Sequence, residues 1–171
     1  IFDGGVLILD IHGIVVVTQP ARPDIVGQNW SNRAFFQQMI RTPGMTVSNV
    51  VNDGPGGVPV VIIAIPITDT QGELTGTLAG MFLVDPASVS LLYGEIVRLS
   101  AGADETTYLT DANGQVIFHS NSEWIGKNLA TQPVVEQVNN GTSDAIRTRD
   151  TDGREIVASF APVPGTPWGL V

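Results

Sequence analysis

The sequence predicts an α+β chain of two tandem modules, each a central antiparallel sheet flanked by helices. Three observations carry this: a repeated run of short β-rich segments, a matched glycine-to-proline spacing in the two halves, and a helix-forming stretch between them. Self-similarity of this kind is read before any local assignment, because a repeat fixes the topology of both copies at once.

In the first half an apolar run leads into Asp10-Ile11-His12-Gly13, then Ile14 to Thr18, then Gly27-Gln28-Asn29. In the second half Tyr108-Leu109-Thr110 leads into Asp111-Ala112-Asn113-Gly114, then Gln115 to Phe118, then Gly126-Lys127-Asn128. Both read as strand, tight turn, strand, loop, since Asp supplies a side-chain cap and Gly a positive φ between apolar runs. Downstream, Gly57 precedes a β-rich run ending at Pro66-Ile67 and Gly153 precedes one ending at Pro162-Val163, with identical Gly-to-Pro spacing.

Helices are predicted over residues 31–41, where Phe35/Met39 and Phe36/Ile40 form i,i+4 pairs, and over residues 133–139, closed by Gly141. Strands over 58–68 and 74–84, separated by Gly72-Glu73, suit a central hairpin. Asp85-Pro86 followed by Val89, Leu92, Ile96 and Leu99 has an acidic N-cap, a first-turn proline and apolar residues at helical spacing. The expected organisation is therefore residues 1–85 for the first module, 86–104 for a connecting helix and 105–171 for the second module. Trp168 to Val171 reads as the opening of a strand, and Trp124 and Trp168 as core aromatics of the second module.

Composition narrows the function. The 171 residues are 43% hydrophobic, enough to build real cores, and 17 acidic against 8 basic residues give a formal charge of −9. That charge repels phosphate backbones and anionic membrane surfaces, so nucleic acid is not an expected partner. The absence of cysteine removes disulfides, thiolate metal sites and cysteine nucleophiles together. No run approaches the roughly 18 to 20 apolar residues of a membrane helix.

No catalytic signature is present: there is no G-x-S-x-G, H-E-x-x-H, G-x-G-x-x-G or phosphate loop, and the two histidines, His12 and His119, stand at a predicted turn and a strand end. The chain is not expected to be an enzyme or to need a cofactor. The aspartate-rich turns at Asp69, Asp111 and Asp150 do not continue into the roughly twelve-residue calcium loop with its closing glutamate, so they are expected to be hairpin turns.

Several motifs in order carry a resemblance. Arg33-Ala34-Phe35-Phe36, the strand Gly57-Val58-Pro59-Val60-Val61 through Pro66-Ile67, the hairpin Asp69 to Gly76, the Pro86 segment, Asp111 to His119 and Gly126 to Leu129 are together similar to the double Cache family of bacterial extracytoplasmic sensors. The resemblance spans nearly the whole chain. It implies two PAS-like modules, the first membrane-distal and the second membrane-proximal. It also implies an extracytoplasmic sensing region of a receptor whose output is a histidine kinase, a chemoreceptor or a cyclase, with a small molecule as its partner. Membrane contact is expected only through flanking helices outside this sequence. Members of the family open with a long helix packed along both modules, and nothing before Asp3 matches it, so an apolar surface is expected to stand uncovered.

The expected ligand site is Arg33 with Trp30, Phe35, Phe36, Asp53 and Met81. A guanidinium offers a planar fork to a carboxylate, and aromatic walls exclude water around the pair. The plainer alternative makes Phe35 and Phe36 core residues of an amphipathic helix and leaves Arg33 solvated. The resemblance implies, for amino-acid-binding members, polar-tipped aromatics near Arg33 and an aspartate where Met81 stands. With Phe35, Phe36 and Met81 there instead, the ligand expected is a small carboxylate or a weakly polar molecule rather than an α-amino acid. The larger polar pocket is expected in the first module and a more compact second module beside it. The competing class is a structural, dimerising or partner-binding ectodomain, with a homodimer as its assembly.

Overall fold

The computed structural model describes residues 2–85, 105–150 and 153–171. The chain divides into two compact units, residues 1–92 and 93–171. The first contains β1 (Gly5–Asp10), β2 (Val15–Gln19), α1 (Ala34–Arg41), β3 (Thr46–Val47), β4 (Val60–Thr68) and β5 (Leu74–Leu83). Its sheet has the order β2-β1-β5-β4-β3, antiparallel throughout. The second contains β6 (Tyr108–Thr110), β7 (Val116–His119), α2 (Pro133–Asn139), β8 (Asp144–Arg149), β9 (Glu155–Pro162) and β10 (Gly169–Leu170), in the order β7-β6-β10-β9-β8. The helix expected over 86–104 lies outside the described residues.

The two sheets are the same sheet built twice. Leu9 pairs with Thr77 and Thr77 with Pro66 in the first unit, and Thr110 pairs with Gly169 and Gly169 with Pro162 in the second. The predicted correspondence of Pro66 with Pro162 therefore holds residue for residue. So does that of Gly13 with Gly114: the Gly13 carbonyl accepts from Trp30 N and the Gly114 carbonyl from Leu129 N. Each glycine has positive φ, +78° and +75°, and a Cβ would come within 2.7 Å of Ser31 N in one case and 2.5 Å of Ala130 Cα in the other. Glycine is thus required twice over, by conformation and by the close approach of the returning loop.

Aspartate side chains set the hairpins. One Oδ1 of Asp10 accepts from His12 N and Ile14 N, that of Asp69 from Gln71 N and Glu73 N, and that of Asp111 from Asn113 N and Gln115 N. Asp150 Oδ1 accepts from Arg154 N. These oxygens close turns, the role the sequence suggests. Asp69→Ala removes two such bonds from an exposed turn, and about 1 kcal/mol of lost stability is expected from urea unfolding; an unchanged midpoint would mean that Gly72 alone holds the hairpin.

Two predicted boundaries shift for local reasons. The first helix begins at Ala34 rather than residue 31, because Ser31 N bonds the Asn29 side chain, Arg33 N bonds the Trp30 carbonyl, and Arg33 is extended at ψ 135°. The strand predicted from residue 58 begins at Val60, since Pro59 has no N–H and the Val58 carbonyl accepts from Gly54 N in a tight loop. The α1 face of the first sheet is filled by Leu7, Leu9, Ala79, Met81, Ile62 and Ala64. The opposite face carries a cross-strand row, Val17, Ile8, Leu78 and Ile65, of which Val17, Leu78 and Ile65 are exposed. These three make an exposed apolar strip on that face among the described residues.

Candidate functional site

In the first unit α1 lays Phe35, Phe36 and Met39 against the sheet, and all three are buried. Trp30, held by its backbone bond to Gly13, joins the same core, as does Met81 from the middle of β5. Trp30 meets the edge of Phe35 with ring centroids 6.4 Å apart. Phe35 and Phe36 are core residues, the plainer of the two readings.

Arg33 is partly exposed and paired. Its Nη2 donates to Asp53 Oδ1 at 2.5 Å, and its guanidinium carbon stands 5.5 Å from the centre of the Trp30 indole ring. Being the residue just before α1, Arg33 projects from the rim of the core, and its side chain is 41% exposed while that of Asp53 is 11% exposed. Asp53 is held from a second side by Arg22, whose Nη1 donates to the Asp53 carbonyl at 2.9 Å and whose Nη2 donates to Asp24 at 2.8 Å. Arg33 Nε and Asp53 Oδ2 are buried with no hydrogen-bond partner. Burial raises the Asp53 carboxyl pKa against the opposing pull of Arg33 and Arg22.

All six residues singled out in the sequence thus gather in one place, with Trp30, Phe35, Phe36 and Met81 forming a closed apolar floor and Arg33 paired to Asp53 at its rim. Arg22 is the member that sequence reasoning missed. It lies remote in sequence from Asp53, and its one local signal is the Thr18 hydroxyl that accepts from Arg22 N at 2.7 Å.

Among the described residues an open cavity is found in the second module. A cavity of about 650 Å³ opens in the second unit, bordered by Thr106, Tyr108, His119, Trp124, Val157 and Ser159, beside an open groove of about 900 Å³ along β8 and β9. Among the described residues β10 pairs with β9 over two residues, and its counterpart β5 pairs with β4 along most of its ten.

One wall of that cavity is a stack of rings. His119 lies 5.4 Å from Tyr108 and 5.8 Å from Trp124, nearly parallel to both, and Lys127 Nζ sits 4.4 Å from the Trp124 ring centre. Burial pushes the Tyr108 pKa up to about 12. Burial also lowers that of His119 from 6.5, aided by Lys127, and the Asn121 N–H donates to its Nδ1. The folded state therefore holds fewer protons than the unfolded one just below pH 6.5, so stability is full above that pH and falls as pH drops toward the lowered folded value. Urea unfolding at pH 7.5 and 5.5, followed by tryptophan fluorescence, should show this loss, and His119→Gln should flatten it. An equal pH slope in both proteins would place the effect elsewhere.

Comparison with known proteins decides the family. A family model for the Cache domain matches residues 2–171. The chain belongs to the Cache domain family. This Cache domain is 32% identical over 125 residues to the methyl-accepting chemotaxis protein McpA of Pseudomonas putida, a match that covers 72% of the chain and 18% of McpA. It therefore spans under a fifth of that relative's length. Among solved structures, an extracellular ligand binding receptor from Desulfohalobium retbaense superposes with a TM-score of 0.70 at 16% identity, covering 97% of this chain and 29% of that one. The ligand-binding domain of the Pseudomonas fluorescens chemoreceptor CtaA, in complex with L-isoleucine, gives 0.63 at 18% identity, covering 97% and 66%. Both share the fold. The PAS-like α+β architecture is thus established, in a Cache domain whose fold is shared with extracellular and ligand-binding domains of receptors. Among the described residues no helix is long and apolar enough to cross a membrane.

Proposed function

We propose that this Cache domain senses a small carboxylate at Arg33 in its first unit. The observation that carries the reading is the carboxylate already on the guanidinium: Asp53 Oδ1 occupies one donor, Nε has no partner, and the Trp30 ring supports the fork from one side. A carboxylate on such a fork gains paired, geometrically matched hydrogen bonds. Asp53 is engaged by Arg33, Asp24 by Arg22, and Met81 offers nothing to an ammonium. The ligand favoured is therefore a carboxylate without an α-amino group, in contrast to the L-isoleucine in the CtaA complex. Binding becomes a signal through its differential affinity for two conformations of the receptor, since only that difference shifts their balance.

The closed packing of Trp30, Phe35, Phe36 and Met81 favours a second reading, a structural or dimerising ectodomain that binds no small molecule. Titration calorimetry of the unaltered protein with acetate, propionate, succinate and a set of L-amino acids separates the two. Heat with a carboxylate and none with the amino acids supports sensing at Arg33. Tight amino-acid binding, or no heat with any of them, overturns it.

A further inference from the structure

Two guanidinium groups act on Asp53, and they differ in exposure. The Arg33 side chain lies open at the rim, whereas that of Arg22 is 11% exposed. A ligand arriving from water therefore meets Arg33 first. Once a ligand carboxylate takes the Arg33 fork, Asp53 loses the donor on its Oδ1, and its Oδ2 is already buried without a partner. The displaced side chain is then a largely buried charge in need of a new cation.

Arg22 is placed to supply it. Its Nη1 already donates to the Asp53 carbonyl at 2.9 Å, and covalent geometry keeps a residue's carboxylate within a side-chain rotation of its own carbonyl. The Arg22 backbone is fixed: its N–H donates to the Thr18 hydroxyl, its carbonyl accepts from Ile25 N and Val26 N, and Ile25 is packed in the core. The donor that Arg22 has to free is Nη2, now on Asp24, whose side chain is more than half exposed. An ion pair that open to water contributes little, and Asp24 is rehydrated when released. Arg33 and Arg22 are also the two charges that pull the Asp53 pKa down against its burial.

We infer that Arg22 is a positioning residue of the carboxylate site: when a ligand takes Arg33, the Asp53 side chain turns from Arg33 to Arg22, which holds it there without touching the ligand. This role rests on Arg33 being the ligand's seat, as proposed above. Charges stay paired throughout, with the ligand on Arg33, Asp53 on Arg22 and Asp24 in water. Nη1 keeps the Asp53 carbonyl while Nη2 exchanges Asp24 for the Asp53 carboxylate, so the turn before Gly54 need not move. The release of Asp24 carries the occupancy of Arg33 to the surface of the loop at 22–26.

Two mutant cycles test this. In titration calorimetry with acetate, propionate and succinate, Arg22→Gln is expected to weaken binding about tenfold, because Asp53 then has no second donor. The same change made in Asp53→Asn should leave binding unmoved, since no carboxylate has to be rehoused. Arg22→Lys keeps a cation beside Asp53 and should recover most of the loss, whereas a purely structural role would weaken both backgrounds alike. The second cycle uses no ligand. Arg33→Ala mimics displacement, so adding Arg22→Gln should lower the urea midpoint by more than the two single changes combined, and Asp53→Asn should remove the excess. Carboxylate binding that is indifferent to Arg22→Gln, or lost equally with and without the Asp53 carboxylate, overturns the role of Arg22 and leaves the Arg33 reading standing. Additive midpoints in the second cycle also overturn it. No heat from any variant overturns the Arg33 reading, and the role of Arg22 with it.

Discussion

Arg33→Ala is expected to weaken carboxylate binding at least about thirtyfold while leaving the fold intact. Truncating one partner of a hydrogen-bonded charge pair costs on the order of 2–5 kcal/mol, because the remaining anion keeps its desolvation and loses its donor. The fold should tolerate the change. The Arg33 side chain is 41% exposed, and the aromatic core beneath it is closed by Trp30, Phe35, Phe36 and Met39 without help from the guanidinium. An ion pair this exposed contributes little to stability. Arg33→Lys should recover part of the affinity, since an ammonium restores the charge and not the planar fork. Asp53→Asn sharpens the test: with the internal carboxylate gone, Arg33 has no competitor, and a simple carboxylate should bind several-fold more tightly. Carboxylate binding indifferent to Arg33→Ala, or weakened by Asp53→Asn, would show that the ligand is held elsewhere or needs Asp53 as its own partner.

The architecture was legible because its signals are local and occur twice. Asp10 and Asp111 sit at the same distance before a glycine, both cap a turn, and both glycines receive a returning loop too closely for a side chain. The strands bounded by Pro66 and Pro162 keep the same pairing partners in the two sheets. The site was legible in part. Trp30, Arg33, Phe35 and Phe36 are near in sequence, and the loop after Thr18 and the turn before Gly54 had to be folded together before Arg22 could be seen on the Asp53 carbonyl. The cavity in the second unit was not legible at all. Hydrophobic patterning in β9 reads the same whether or not a neighbour lies beside it.

Met81→Asp is the change with the largest expected effect on the first unit. Met81 is 1% exposed at the centre of the sheet, paired with Gly5 and Ile62 and packed with Trp30, Phe35 and Phe36. A carboxylate there has no cation within the core, and an uncompensated buried charge costs on the order of 3–5 kcal/mol. Burial would raise the folded-state pKa of the new carboxyl above its unfolded value of about 3.9. The folded state then binds the proton more tightly, so the variant should regain stability as pH falls from neutral toward 4 and lose it as pH rises. An α-amino acid whose carboxylate sits on Arg33 could bring an ammonium to the new charge, so it should raise the melting temperature of the variant at pH 7.5 and leave that of the unaltered protein unmoved. Urea unfolding at pH 7.5 and 5 with a thermal-shift series in L-amino acids measures both effects. If Met81→Asp is as stable as the parent at pH 7.5, position 81 is open to water and the floor beneath Arg33 is a pocket rather than a core. If it is destabilised and no amino acid restores it, the floor is closed to ligands and the carboxylate on Arg33 binds wholly at the rim.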